Sequence, residues 1–407
     1  MGADVDTLLG ELLLTPDGRQ DPYPRYHQIR ELAPVHPSGL GFWVLSRYDD
    51  CQQLLRDPRF GKGDRQERDA RLPEDAVAAL ARLRRRAPSL LFLDPPDHTR
   101  LRGLVSKAFT PRTVERLRPH IGRLLDDLLD AVDGGRGEPV DVMATVAFPL
   151  PVAVIGEMLG VPASDRAAFQ PWVRASTALL ELTVEADAIV AAADASDRMW
   201  SYFAALLAER RRRPSDDLLS ELLCVEDQGD TLSEAELIST AILLFGAGFE
   251  TTTNLIGNGL LALLRHPDEL ARLRADRGLL RPAVEEILRW DSPVQVDGRV
   301  ALTAADVDGE PVEDGAFVVT LLGAANRDPA RFADPDRFDV GRDEGPPLSF
   351  GSGIHYCLGQ ALARVEGQVV FGRLLERYGA IELAAGDVAY RPSLTLRGLV
   401  DLPVILT

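Results

Sequence analysis

Lysine is almost absent from this chain. Only Lys62 and Lys107 occur, and arginine supplies every other basic side chain. Positive charge is also outweighed, with a formal net charge of −18 over 407 residues. A polyanion needs a basic footprint, so nucleic acid is excluded as a partner. The basic clusters Arg82–Arg86 and Arg210–Arg213 read as solvated helix ends. Cysteine is scarce: three occur, odd in number and widely spaced. That excludes a disulfide framework and fits a reducing cytoplasm. No apolar run reaches the about 20 residues of a membrane helix. Leu8–Leu14 is broken by Gly10 and Glu11, and Met1–Leu14 is acidic where a secretion signal is basic. A soluble, cytoplasmic monomer without a membrane partner is expected. No linker tract or repeat divides the chain. One domain over 1–407 is therefore expected, with 45% hydrophobic residues to fill its core.

What is present reads as mainly α with small β-sheets. Val35, Phe42, Trp43, Val44 and Leu45 around Gly39 and Gly41 predict a β-hairpin within 35–48. Strand character is expected in about 20–60, 299–321 and 390–406, and helix in about 97–290 and 358–378. Prolines 111, 119, 149, 151 and 162 are expected to interrupt the helices. The longest helix is predicted from Ser233 to Arg265. Ser233 and Glu236 form a capping box, and His266-Pro267 stops it. At 1.5 Å per residue it spans roughly 45 to 50 Å, so it must be buried along much of its length.

Phe350-Gly351-Ser352-Gly353-Ile354-His355-Tyr356-Cys357-Leu358-Gly359 is the most informative stretch. Two glycines let backbone approach a flat ligand closely. Cys357 precedes a helical pattern, Gln360 to Tyr378, whose N-terminus favours a thiolate. A lone cysteine is more often a buried thiol, and Cys51 and Cys224 are read that way. Phe-Gly-x-Gly-x-His-x-Cys-x-Gly, however, resembles the haem-binding loop of the cytochrome P450 family throughout.

That resemblance extends over almost the whole chain. It implies the cytochrome P450 fold, a long central helix over a buried haem b, and Cys357 as axial ligand of the iron. Glu286 and Arg289 resemble the family's buried Glu-x-x-Arg pair, with Arg337 in Pro335-Asp336-Arg337-Phe338 implied as third partner. His98 and Arg102, four apart on one helical face, with Arg299 and His355, stand where the family holds the haem propionates. Arg100 is expected to point off that face. Phe350 and Ala247 are expected against the cofactor. Ala247-Gly248-Phe249-Glu250-Thr251 matches the family's acid–alcohol pair. The resemblance implies a local kink there, with Thr251 holding a water at bound oxygen and Glu250 relaying protons. Leu243, Gly246, Ala247, Val294, Val296, Thr395 and Leu396 are expected to line the substrate pocket. Residues 60–93 and 163–200 carry the least motif and are where the family builds its substrate lid.

The expected activity is monooxygenation, hydroxylation or epoxidation, of a lipophilic small molecule such as a polyketide or terpenoid intermediate. O2 is the oxidant, and a ferredoxin with its ferredoxin reductase supplies the electrons. A haem-thiolate enzyme of atypical outcome, using peroxide, coupling phenols or desaturating, is the alternative. A non-catalytic relative serving as a binding or scaffold protein would be expected to lack Cys357 or the Glu250–Thr251 pair.

Overall fold

The computed structural model describes residues 4–63, 72–107, 109–134, 137–227, 230–384 and 388–407. Part of the motif-poor stretch 60–93, residues 64–71, lies outside them. Two compact units emerge. One joins Met1–Gly61, Glu115–Leu150 and Thr251–Thr407, and the other joins Lys62–Val114 and Pro151–Glu250.

The first unit holds the sheets. A five-stranded sheet runs in the order Val35–Ser38, Phe42–Leu45, Phe317–Leu321, Val296–Ala301, Phe60–Gly61. The predicted hairpin pairs Val35 with Leu45 and Ser38 with Phe42. Leu45, Cys51, Phe60, Val318 and Phe332 form one buried cluster beside it. Elsewhere 20–60 is helical, over Tyr23–Leu32 and Tyr48–Arg56. In 390–406 only Pro403–Leu406 is a strand, with single bridges at Tyr390↔Leu399 and Val294↔Leu396. Within Ser393–Arg397 part of the backbone is taken by side chains, the Leu396 N–H donating to Ser393 Oγ at 3.0 Å and the Arg397 carbonyl accepting from Asn258 Nδ2 at 3.1 Å.

Small residues let three helices of this unit close on one another. A Cβ on Gly259 would come 2.6 Å from Phe371 and 2.8 Å from Ile287. Those neighbours sit on the helices Gln360–Arg377 and Leu280–Trp290. Gly259 itself belongs to the helix Glu234–Arg265. No helix among the described residues is long and apolar enough to cross a membrane.

The second unit is helical, with its longest complete helix at Ala186–Arg212. Arg82 pairs there with Asp194 and Asp197 at 2.8 and 3.2 Å, and Arg86 pairs with Asp197. Much of the first arginine cluster is thus a helix-to-helix tie rather than a solvated end. Ser233 and Glu236 cap the long helix reciprocally. The Ser233 N–H donates to Glu236 Oε2 at 2.8 Å, and the Glu236 N–H donates to Ser233 Oγ at 3.3 Å. Two prolines do not break helices as expected. Pro119 lies inside Pro111–Asp133 with its ring on the exposed side. Pro151 sits in the first turn of Pro149–Met158, where an N–H has no helical partner to lose.

One buried ionic cluster organises the first unit. Arg289, 1% exposed, meets Glu286 through two bonds of 2.6 and 2.9 Å. Its other donors reach the carbonyls of Asn326, Pro335 and Arg337 at 3.0, 2.8 and 3.2 Å. The third charged partner is Arg342, whose Nε lies 3.2 Å from Glu286 Oε2. This corrects the expectation for Arg337. Its side chain is 60% exposed, and it contributes only a main-chain carbonyl. The segment turns Arg337 outward at the position where its carbonyl turns in. Removing the carboxylate leaves two guanidiniums facing each other in a dry site. Glu286→Ala should therefore cost about 3 to 5 kcal/mol and give little folded protein. Arg337→Ala should stay within about 0.5 kcal/mol of wild type. Thermal unfolding and soluble yield check both.

Candidate active site

The cysteine loop hangs from that cluster. Asn326 Oδ1 accepts from the Leu348 N–H at 2.7 Å, and its Nδ2 donates to Ser292 Oγ and Ser349 Oγ at 2.7 and 2.9 Å. Ser349 Oγ also donates to the Leu288 carbonyl at 2.6 Å. The start of the loop is thereby pinned to the helix that carries Glu286 and Arg289. Beyond it the chain doubles back. The Gly351 N–H donates to the Leu348 carbonyl at 2.8 Å, and the Cys357 N–H donates to the Phe350 carbonyl at 3.0 Å. Cys357 is left partly exposed, three residues before the helix Gln360–Arg377. Arg364 on that helix holds Phe350 from the far side, its guanidinium 4.4 Å from the ring centroid.

Both glycines have φ near +70°, which L side chains avoid. They differ in surroundings. A Cβ on Gly351 would meet nothing within 4 Å, whereas one on Gly353 would strike the Leu55 carbonyl oxygen at 2.1 Å.

Arg299 lies in the same unit on the strand Val296–Ala301 and is 1% exposed. Its Nη1 donates to Asp297 Oδ1 at 2.6 Å and to the Gly298 carbonyl at 2.9 Å. Its Nη2 is buried without a hydrogen-bond partner among the described residues. A buried guanidinium donor with nothing to meet suits an anionic oxygen, and haem brings two carboxylates. The residues present thus fit the cofactor on two counts, a presented thiol and an orphaned cationic donor. His355 is half-buried in the same loop. Val296, Thr395 and Leu396 are buried and Val294 half-buried. The Val294↔Leu396 bridge brings those two segments together.

In the second unit the helix Asp97–Ser106 carries His98, buried, and Arg102, half-buried. Arg100 turns away as expected, towards Glu236 and Asp230. The long helix is continuous from Glu234 to Arg265. What marks this stretch is exposure. Leu243, Ala247 and Thr251, four apart, form a stripe in which Ala247 is exposed and the others half-buried. Gly248, about 100° round the helix from Ala247, packs on Ile155, where a Cβ would come 3.0 Å from the side chain. Phe249 is fully buried and meets Phe245 edge-on at 5.8 Å, so it packs behind the helix. Glu250 is 3% exposed.

Sequence reasoning missed three groups. Arg342 has no motif of its own. Glu366 is buried nine residues past Cys357, its Oε2 without a partner among the described residues, and burial pushes its carboxyl up to about 8. Asn254 and Asn258 are buried amides on an apolar helix, a signal legible in the sequence. Of the two loop glycines, Gly353→Ala should lose the loop and most of its haem. Gly351→Ala should cost only backbone strain of about 1 to 3 kcal/mol. Haem content per chain and the thermal midpoint separate the two.

The sequence matches the family profile "Cytochrome P450" over residues 44–389. It is 46% identical over 400 residues to cytochrome P450 107B1 of Saccharopolyspora erythraea, covering 95% of each chain. It is 40% identical over 401 residues to the 6-deoxyerythronolide B hydroxylase of the same organism, covering 95% of this chain and 96% of that one. Among solved structures, ligand-free CYP164A2 of Mycobacterium smegmatis superposes with a TM-score of 0.89 at 41% identity, over 98% of this chain and all of that one. With a glycine-bracketed cysteine hung on a buried Glu–Arg cluster, the chain belongs to the cytochrome P450 family and is a haem-dependent monooxygenase.

Proposed function

We propose that the Cys357 thiolate is the axial ligand of haem b, and that the chain oxygenates a C–H or C=C bond of a bulky lipophilic natural-product intermediate. The observation that carries the reading is the loop itself, which presents a partly exposed sulfur from a backbone turn fastened to a buried network. Haem, when bound, supplies the iron at which O2 is cleaved by two electrons and two protons, one oxygen atom entering the substrate and the other leaving as water. Arg299 and His355, with His98 and Arg102, hold the propionates. The free donor of Arg299 supports its part.

Thr251 Oγ1 holds a water and passes its proton towards the oxygen that leaves. Glu250 replenishes that proton. Glu250 is buried, which keeps the relay away from bulk water. Leu243, Gly246, Ala247, Val294, Val296, Thr395 and Leu396 form the pocket walls, small or apolar groups suited to a large lipophile. The relative named 6-deoxyerythronolide B hydroxylase supports hydroxylation as the outcome. Electrons arrive from a ferredoxin and its reductase. Lys107, Arg112 and Arg116 are exposed and serve docking. Arg364, ion-paired with Glu285, is engaged internally and does not.

Two experiments test this reading. Cys357→His should abolish the red-shifted Soret band of the reduced carbon monoxide complex, and a retained thiolate spectrum would refute the ligand. Thr251→Ala should consume reductant at a comparable rate while most electrons leave as hydrogen peroxide. Glu250→Gln should slow turnover by about tenfold or more and enlarge the solvent isotope effect. Thr253 Oγ1 is buried without a partner among the described residues, so Thr253→Val should be close to neutral. Unchanged product per reductant in Thr251→Ala would sink the relay.

A further inference from the structure

The loop Arg391–Gly398 is tied down more tightly than its irregular backbone requires. At its base Tyr390 pairs with Leu399, and the Arg391 N–H donates to the Gly398 carbonyl at 2.9 Å. At its tip the Gln295 N–H donates to the Thr395 carbonyl at 3.0 Å, and the Arg397 N–H donates to the Pro293 carbonyl at 2.9 Å. Two buried polar pins hold it from the sides. In one, Asp291 accepts from Arg397 Nε at 2.6 Å and from the hydroxyls of Tyr23 and Tyr390 at 2.7 Å each. In the other, Asn254 on the long helix accepts through Oδ1 from Arg391 Nη2. Asn254 is wholly buried. Gly398 makes room for this pair, since a Cβ there would come 2.0 Å from Asn254 Oδ1 and 2.7 Å from Arg391 Nη2. One turn further along, Asn258 donates to the carbonyls of Asp291 and Arg397 at 3.3 and 3.1 Å.

Asn254 lies three residues after Thr251 and so on the neighbouring helix face. We propose that the Asn254–Arg391 pair is a positioning element for oxygenation. It holds the loop bearing Thr395 and Leu396 in register with the helical turn bearing Thr251, and so sets how the substrate lies beside that hydroxyl. Neither residue touches substrate; both act through the loop. A charge-assisted hydrogen bond fixes distance and direction together, where an apolar contact allows sliding. The inference rests on the reading that Thr395 and Leu396 line the pocket.

The test uses the haem-loaded full chain. Optical titrations with imidazole and 4-phenylimidazole compare a ligand that reaches only the iron with one whose ring meets the pocket wall. Hydrogen exchange over 392–397 reports the loop directly. Asn254→Ala and Arg391→Met should speed that exchange and weaken 4-phenylimidazole about tenfold, roughly 1.4 kcal/mol, while imidazole binds as before. Asn254 Nδ2 has no partner among the described residues, so Asn254→Asp keeps the one bond and should restore both readouts. Leu396→Trp tests the pocket separately and should alter 4-phenylimidazole binding without altering exchange. If Leu396→Trp moves the affinity and Asn254→Ala does not, the pair is ordinary packing and the proposal fails. If both imidazoles weaken equally in Asn254→Ala, the effect is global and the proposal fails. If Leu396→Trp moves nothing, the pocket assignment falls and the proposal with it. Should Asn254→Ala not load haem, Arg391→Met, which removes the donor from the other side of the bond, must by itself show the same selective loss.

Discussion

A buried guanidinium carries five N–H donors, so placing Arg289 inside obliges the fold to meet them one by one. Glu286 takes two of them, and the carbonyls of Asn326, Pro335 and Arg337 take the rest. Meeting that demand shapes the chain around it. The three carbonyls come from an irregular stretch that would otherwise have many conformations. Once Asn326 is in place, its side chain is free to hold Leu348 and Ser349, and the cysteine loop starts from there. The sulfur is presented where it is because a charge buried elsewhere has to be satisfied.

The use of arginine rather than lysine has a physical consequence in this fold. A planar guanidinium can stack and donate at once, which an ammonium cannot. Arg327 lies between the rings of Tyr23 and Trp290, 3.6 and 3.7 Å from their centroids, and donates to the Trp290 carbonyl. Arg397 stacks at 3.5 Å on Tyr390 while bonding Asp291 and the Arg19 and Gln20 carbonyls. An acidic chain thus places a few of its arginines inside, as joints between segments.

The long helix shows how one element serves several purposes at once. Its face at Phe245 and Phe249 is core, its glycines at 248, 257 and 259 admit close neighbours, and Ala247 and Thr251 stay accessible. Asn254 and Asn258, two of its buried polar residues, bind the C-terminal loop. Each of these buried amides meets its partner through one of its two polar atoms, Asn254 through Oδ1 and Asn258 through Nδ2.

Local chemistry decided what could be read from the residues alone. The capping box at Ser233, the hairpin at 35–45, the length of the long helix and the glycine-bracketed Cys357 all depend on neighbours in sequence. So does the Glu286–Arg289 pair, three apart on one helix. Tertiary structure decided the rest. Whether Arg337 or Arg342 faces Glu286 depends on where an irregular segment turns, and spacing does not encode that. Pro151 was tolerated because it falls in a first turn, where no helical bond is lost, whereas Pro119 stays inside a helix with its ring on the exposed side. The orphaned donor of Arg299, the buried carboxyl of Glu366 and the Asn254–Arg391 pin join or isolate groups by burial. Burial is a property of the packed chain, which a sequence read residue by residue does not contain.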